Sequence, residues 1–210
     1  MPEMMGAMSK RRKKARGNPQ QPGGRAPRSR QRIPRPAPEE QSSPRILVYV
    51  LLGVAAVMGL YLHAYAMPQL THFAQGLTMP DARAGGYSAE EIAALQEAME
   101  DQAAGQLSFV HKTAGTIFPV AVFLAAWAAL GLLARGRWRW LVLAAAAALA
   151  AVDITENVLI DQALGQVPPD PQLVGWASAF TTASWVLLAL VGAAVVAVVG
   201  RDALAQRSGR

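Results

Sequence analysis

Asp153, Glu156 and Asn157 stand inside a run made almost wholly of Ala, Leu and Val. At spacings i, i+3 and i+4 they share one face of a helix. A charged side chain facing lipid costs roughly 2.5–3.5 kcal/mol at mid-helix, so that face is expected to turn toward other protein. Two carboxylates and an amide in such a place can do three kinds of work. They can bind a small ligand, an ion, a proton or a lipid headgroup, with a carboxylate cycling between its charged and neutral forms. They can set helix register, Lys112 neutralising Asp153 or Glu156 while Asn157 bonds across to a hydroxyl. Or, with His63 and His111, they can hold zinc or copper, although no H-x-x-x-H or E-x-x-H spacing places two ligands on one helix.

The residues available to join them are set by the spans. Ile46 to Met67 is 22 residues without Asp, Glu, Lys or Arg, long enough to cross a bilayer. Three more apolar runs follow, giving spans at about 46–67, 114–134, 139–160 and 173–200. Asp153 lies 15 residues beyond Trp138, so at 1.5 Å per residue it stands roughly 22 Å into a ~30 Å core. At that same level the first span ends on His63 and Tyr65. The second opens on His111, Lys112, Thr113 and Thr116, and the fourth carries Ser178, Thr181 and Thr182. The candidate site is therefore Asp153, Glu156, Asn157, His63, His111, Lys112, Thr181 and Thr182, expected to form a pocket open to the outer side. An enzyme would need Thr181 or Ser178 paired with His111, and nothing in their spacing specifies a reaction. The sequence calls for no cofactor. His72 reads as a solvated loop residue.

Composition agrees with a membrane protein. The chain has 210 residues, 52% hydrophobic and 16% charged, and no cysteine. The absence of thiols excludes disulfide exchange, including a quinone-linked disulfide oxidase, and every thiolate site. Residues 1–45 hold 12 Lys/Arg against 3 Asp/Glu, a charge of +9, while residues 46–210 hold 8 against 11, a charge of −3. The first segment contains eight of the 14 prolines and reads as a disordered basic tail. Its run Lys10–Lys14 suits a topology signal or anionic lipid headgroups, worth about 1 kcal/mol per basic residue, better than nucleic acid. A cleaved signal peptide is the rival reading of the first span, with Ala64-Tyr65-Ala66 as the cleavage site, but the polar lead is too long.

Between the first two spans, Ser88 followed by Glu91 is a capping box. It opens an amphipathic helix over about 88–104, with Ile92, Leu95, Met99 and Ala103 on one side and an end near Gly105. Of the 20 Lys/Arg, only Arg83 and Lys112 fall on that helix's side of the bilayer, so the positive-inside rule puts both termini in the cytoplasm and this helix outside. Residues 201–210 form a basic inner tail. Small residues, among them Gly53, Ala55, Gly59, Ala144–Ala148 and Gly192, offer close helix approach. The reading is all-α: an up-down bundle of four transmembrane helices with a short amphipathic extracytoplasmic helix. The bilayer is its first partner, and a homo-oligomer or another membrane protein remains open.

Gly86-Tyr87-Ser88 with Glu90 and Glu91, Phe118-Pro119, and the D-x-x-E-N of Asp153–Asn157 together resemble a group of small bacterial inner-membrane proteins. The resemblance covers about residues 80–200. It implies that D-x-x-E-N is a genuine feature and implies no activity.

Overall fold

The computed structural model describes residues 43–99 and 101–209. The expected disordered tail lies almost wholly outside them. Six helices account for nearly all of that chain, and no strand occurs among the described residues. Helix α1 is Pro44–Phe73. A short helix α2, Ala89–Ala98, precedes α3, Asp101–Lys112, and α4, Ala114–Leu133. Helices α5, Trp138–Leu164, and α6, Pro171–Ser208, complete the chain. Four stretches are long and apolar enough to span a bilayer: α1, Ala103–Leu133 across α3 and α4, α5, and α6. The up-down bundle of four spans is the architecture observed.

The ends of these helices follow from capping. Ser88 accepts from the Glu91 amide while the Glu91 carboxylate accepts from the Ser88 amide, the complete capping box. Asp170 caps α6 through the Gln172 amide, with Pro171 in the first turn. The other boundaries differ from expectation: three of the spanning helices run further, and the amphipathic helix stops sooner. α1 continues through Pro68 to Phe73, so His72 is helical rather than in a loop. A π turn, Tyr61–Ala66, ends two residues before Pro68, a residue with no amide hydrogen to donate back. Gly105 ends nothing: α2 stops at Ala98, the chain extends at Met99 (φ −78°, ψ 126°), and α3 then carries Gly105 in its interior. The C-terminal segment continues as helix to Ser208, as its Ala, Leu, Gln and Arg content favours. Asp202 on that extension pairs with Arg45 at 3.2 Å, tying the two ends of the bundle's basic face.

Helix α4 is central, packing on α1, α5 and α6, and the largest helix pair is α5 with α6. Close approach rests on Ala126, Ala129 and Ala146, all fully buried. Of the glycines expected to serve this purpose, Gly59 does so against the Phe118 ring, whereas Gly53 and Gly192 face open space. The end bearing Arg45, Arg135 and Asp202 is filled by apolar side chains such as Val48, Leu130, Val191 and Val195. The opposite end carries α2 and the connection from α1. There Ile92 and Leu95, on the apolar side of α2, are buried against the bundle.

Candidate functional site

At this second end a cavity of about 40 Å³ lies between the helices. Asp153, Glu156 and Asn157 all line it, with His63 from the π turn and His111 from α3. Glu156 is 4% exposed and Asn157 7%, so the shared face of α5 points inward as its charge requires. Asp81 and Ser184 add two more polar groups, and the rest of the wall is aliphatic or aromatic, with Phe118 and Trp185 its largest side chains.

Each polar group has a local cause. Asn157 donates to the Gly115 carbonyl at 3.3 Å. That carbonyl would ordinarily receive the amide four residues on, but the fourth residue is Pro119, which has none. Gly115 also lacks the Cβ that would come within 3.0 Å of the Asn157 amide nitrogen. The Phe-Pro of the second span and the Asn of D-x-x-E-N thus complete one hydrogen bond between them. Replacing Asn157 by Leu should cost about 1 kcal/mol by leaving the carbonyl unpaired. Adding Pro119→Ala, which restores the donor, should recover most of it. A double-mutant cycle of thermal unfolding in detergent measures both, and a strictly additive cycle would refute the coupling.

Glu156 accepts from the Ser184 hydroxyl at 2.6 Å. His111, 2% exposed, is held at both ring nitrogens: Nδ1 lies 2.7 Å from Asp161 and Nε2 2.9 Å from Asp81. Both nitrogens donate only in the imidazolium form, so two ionised carboxylates share one cation. Ser108 donates to the second oxygen of Asp161. Asp81 sits in a 3₁₀ turn, Pro80–Ala82, of the connection from α1. Trp185 donates to its backbone carbonyl at 2.9 Å. The turn is therefore stitched across the mouth of the cavity by side chains from α3 and α6. Further along, the Tyr87 amide donates to Ser178, and its hydroxyl meets Thr181.

Burial pushes the Asp81 carboxyl up, but the charge of His111 and the hydrogen bond from it outweigh burial and hold it below the ordinary 3.8. A carboxyl lowered on folding contributes stability above its unfolded value and loses it as pH falls through the folded one. The Asp81 tie should therefore survive at pH 5 and fail only below about 3.8. Amide exchange across residues 79–87 checks this, and equal protection at pH 5 and pH 3 would contradict it.

The expected residues do not all meet. Lys112 is exposed, does not line the cavity and pairs with neither Asp153 nor Glu156. One residue after His111 on a helix, it points to another side. Thr182 is exposed and bonds its own helix at the Ser178 carbonyl. Thr181 is buried against Tyr87, outside the cavity lining. Neither Thr181 nor Ser178 is hydrogen-bonded to His111, so the nucleophile-and-base pair does not form. Among the described residues no three His, Asp or Glu side chains converge as a metal-holding group, so His63, His111, Asp153 and Glu156 share the cavity wall without forming one. Sequence reasoning passed over Asp81, Asp161, Ser184 and Trp185. Asp161 was within reach, because 153, 157 and 161 continue one helical stripe. Asp81 lies 30 residues from His111, and no local pattern announces it.

Large apolar side chains cover the outside of the bundle, among them Val57, Leu60, Trp127, Leu190 and Val196. With four helices of spanning length, this makes the chain an integral, multi-pass membrane protein. It matches no known protein family, no characterised protein and no solved structure.

Proposed function

We propose that this is a multi-pass protein of a bacterial inner membrane, both termini cytoplasmic, whose cavity opens to the outside and binds a small polar ligand or ion. The distribution of Lys and Arg supports the orientation. The observation that carries the binding reading is Glu156: a carboxylate 4% exposed, one oxygen bonded to Ser184, set in the wall of a cavity rather than in packed protein. Ionisable groups held so deep in a span are retained at a cost, and function is the default account of that cost.

The chain has no cysteine, so a single introduced thiol reports on its own. Asp81→Cys, in the turn over the cavity, in oriented vesicles should react with a membrane-impermeant thiol reagent added from the outer face and not from the inner one. Lack of reaction from either face would refute an accessible cavity.

A purely structural role has support in the Asn157–Gly115 and Glu156–Ser184 bonds. The two roles part at Asp153, whose carboxylate makes no hydrogen bond among the described residues although it lines the cavity. Asp153→Asn and Glu156→Gln should leave the unfolding temperature in detergent within about 0.5 kcal/mol of wild type while changing ligand response. A loss of about 2 kcal/mol or more in both would favour the structural role.

A further inference from the structure

The end of the bundle opposite the cavity carries a strongly basic surface. Arg135 and Arg137 lie in the turn between α4 and α5, Arg139 in the first turn of α5, and Arg201 near the end of α6. Among the described residues none of these four pairs with a carboxylate. Asp202, the acid at this end among those residues, is held by Arg45 and Gln206. A groove of about 300 Å³ is lined by both Arg135 and Arg201. Trp138 lines it too, its indole N–H fixed on the Arg135 carbonyl at 2.9 Å, and Leu133 and Val198 supply an apolar side. A second groove, of about 410 Å³, shares Leu133, Arg135 and Asp202 with the first and adds Leu132. Among the described residues Arg45, Arg83 and Arg139 are the arginines that donate hydrogen bonds, so Arg135 and Arg201 keep all their donors there.

Two uncompensated guanidinium groups beside one groove call for an anion, and their planar forks match the oxygens of a phosphate. The place narrows the class. Helix α4 stops at Leu133, and Trp138 and Trp140 follow at the level where indole rings prefer the membrane interface. The apolar lining continues onto the outside of the bundle through Leu132, which is 46% exposed. An occupant with a phosphate at headgroup depth and hydrocarbon below it satisfies both halves, whereas a soluble anion satisfies one. The chain leading into α1 has the wrong sign, since residues 1–45 carry +9. The positive-inside bias accounts for basic residues at this end. It does not require two of them to border one groove while the acid beside them is committed to Arg45. We infer that the groove binds an anionic phospholipid of the surrounding bilayer, its phosphate between Arg135 and Arg201 and its acyl chains passing Leu132 and Leu133. The cavity at the other end plays no part in this binding.

Palmitoyl-oleoyl phosphatidylglycerol is the probe, and phosphatidylcholine with the same chains is its counterpart without net charge. Each is titrated onto the full chain in detergent and counted by native mass spectrometry. The anionic lipid should bind saturably and raise the unfolding temperature, and the zwitterionic one should do neither. Arg135→Gln/Arg201→Gln should weaken binding at least about thirtyfold. The charge-matched control Arg137→Gln/Arg207→Gln removes two arginines from the same end that line neither groove, and it should weaken binding far less. Residues 1–42 are the same in both variants, so lipid held by their basic side chains cancels in the comparison. If the first double variant fails to fold, Arg201→Gln against Arg207→Gln carries the test, with a loss of about fivefold expected at Arg201. Equal losses in variant and control would overturn the inference and leave only a diffuse basic surface. Equal binding of the two lipids would overturn it as well. Glycerophosphoglycerol, the same headgroup without acyl chains, should not stabilise the protein. If it stabilises as much as the lipid does, the groove is a site for soluble anions and the inference falls.

Discussion

Replacing His111 with Ala is expected to destabilise the protein by about 3 kcal/mol, the cost of removing one partner from a buried charge pair. The imidazole is 2% exposed and lies within 2.9 Å of both Asp81 and Asp161. Without it two carboxylates remain near each other with no cation between them, and the turn that carries Asp81 loses its strongest tie to the bundle. Trp185 would still hold the Asp81 carbonyl, so the turn should loosen before the spans separate. The measurement is thermal unfolding together with amide exchange: protection should fall most over residues 79–87 and least in α4. Neutralising the orphaned acid in the double variant His111→Ala/Asp81→Asn should restore at least about 1 kcal/mol. If the double variant is no more stable than His111→Ala alone, the histidine acts by filling space and its charge is irrelevant.

The second large effect is expected at Gly86, where Ala should cost about 2–3 kcal/mol. Two independent penalties coincide there. The backbone has φ +85°, a conformation that L side chains rarely adopt. A Cβ would also stand 2.5 Å from the Ser178 hydroxyl, which accepts the Tyr87 amide at 2.8 Å. The added methyl therefore pushes directly on the bond that docks the loop to α6. The neighbouring glycine is the control. Gly85 has open space around its Cβ position and no positive φ, so Gly85→Ala should stay within about 0.5 kcal/mol of wild type. Removing the hydroxyl in Gly86→Ala/Ser178→Ala should relieve the steric penalty and leave the backbone one. Equal stability of the two single glycine variants would refute the account.

The two variants act on the same object, the connection 74–88, and it is the part of the molecule that local pattern described least well. The spans were legible because twenty apolar residues in a row have one stable home. The capping box at Ser88 was legible because its two hydrogen bonds lie three residues apart. The inward face of α5 was legible because carboxylates cannot face lipid cheaply. The amphipathic helix was read too long, since the chain extends at Met99 before a new helix begins at Asp101. Helix ends were read too short at Met67 and Gly200, because a proline or glycine weakens a helix without being obliged to end it. The π turn, the depth of packing and the Arg45–Asp202 tie sustain these helices.

The partners of the acidic face divide along the same line. His63, His111, Asp153, Glu156 and Asn157 were expected together, and all five line one cavity. Lys112 and Thr182 were placed by level along the bundle axis, which fixes height and leaves rotation about the helix open. Both turned outward. Asp81, which no local pattern singled out, became the partner of His111.

The sequence by itself determined that four helices cross a bilayer and that one face of α5 carries groups which must be sheltered. Both follow from the free energy of moving apolar and charged atoms between water and hydrocarbon, a quantity summed along the chain without reference to any neighbour. Only the tertiary structure decided that Pro119 leaves a carbonyl for Asn157, that Asp81 closes over His111, and that Glu156 meets space rather than a lysine. Those pairings join residues tens of positions apart, and their energies depend on ångström distances that come into being only when the helices pack.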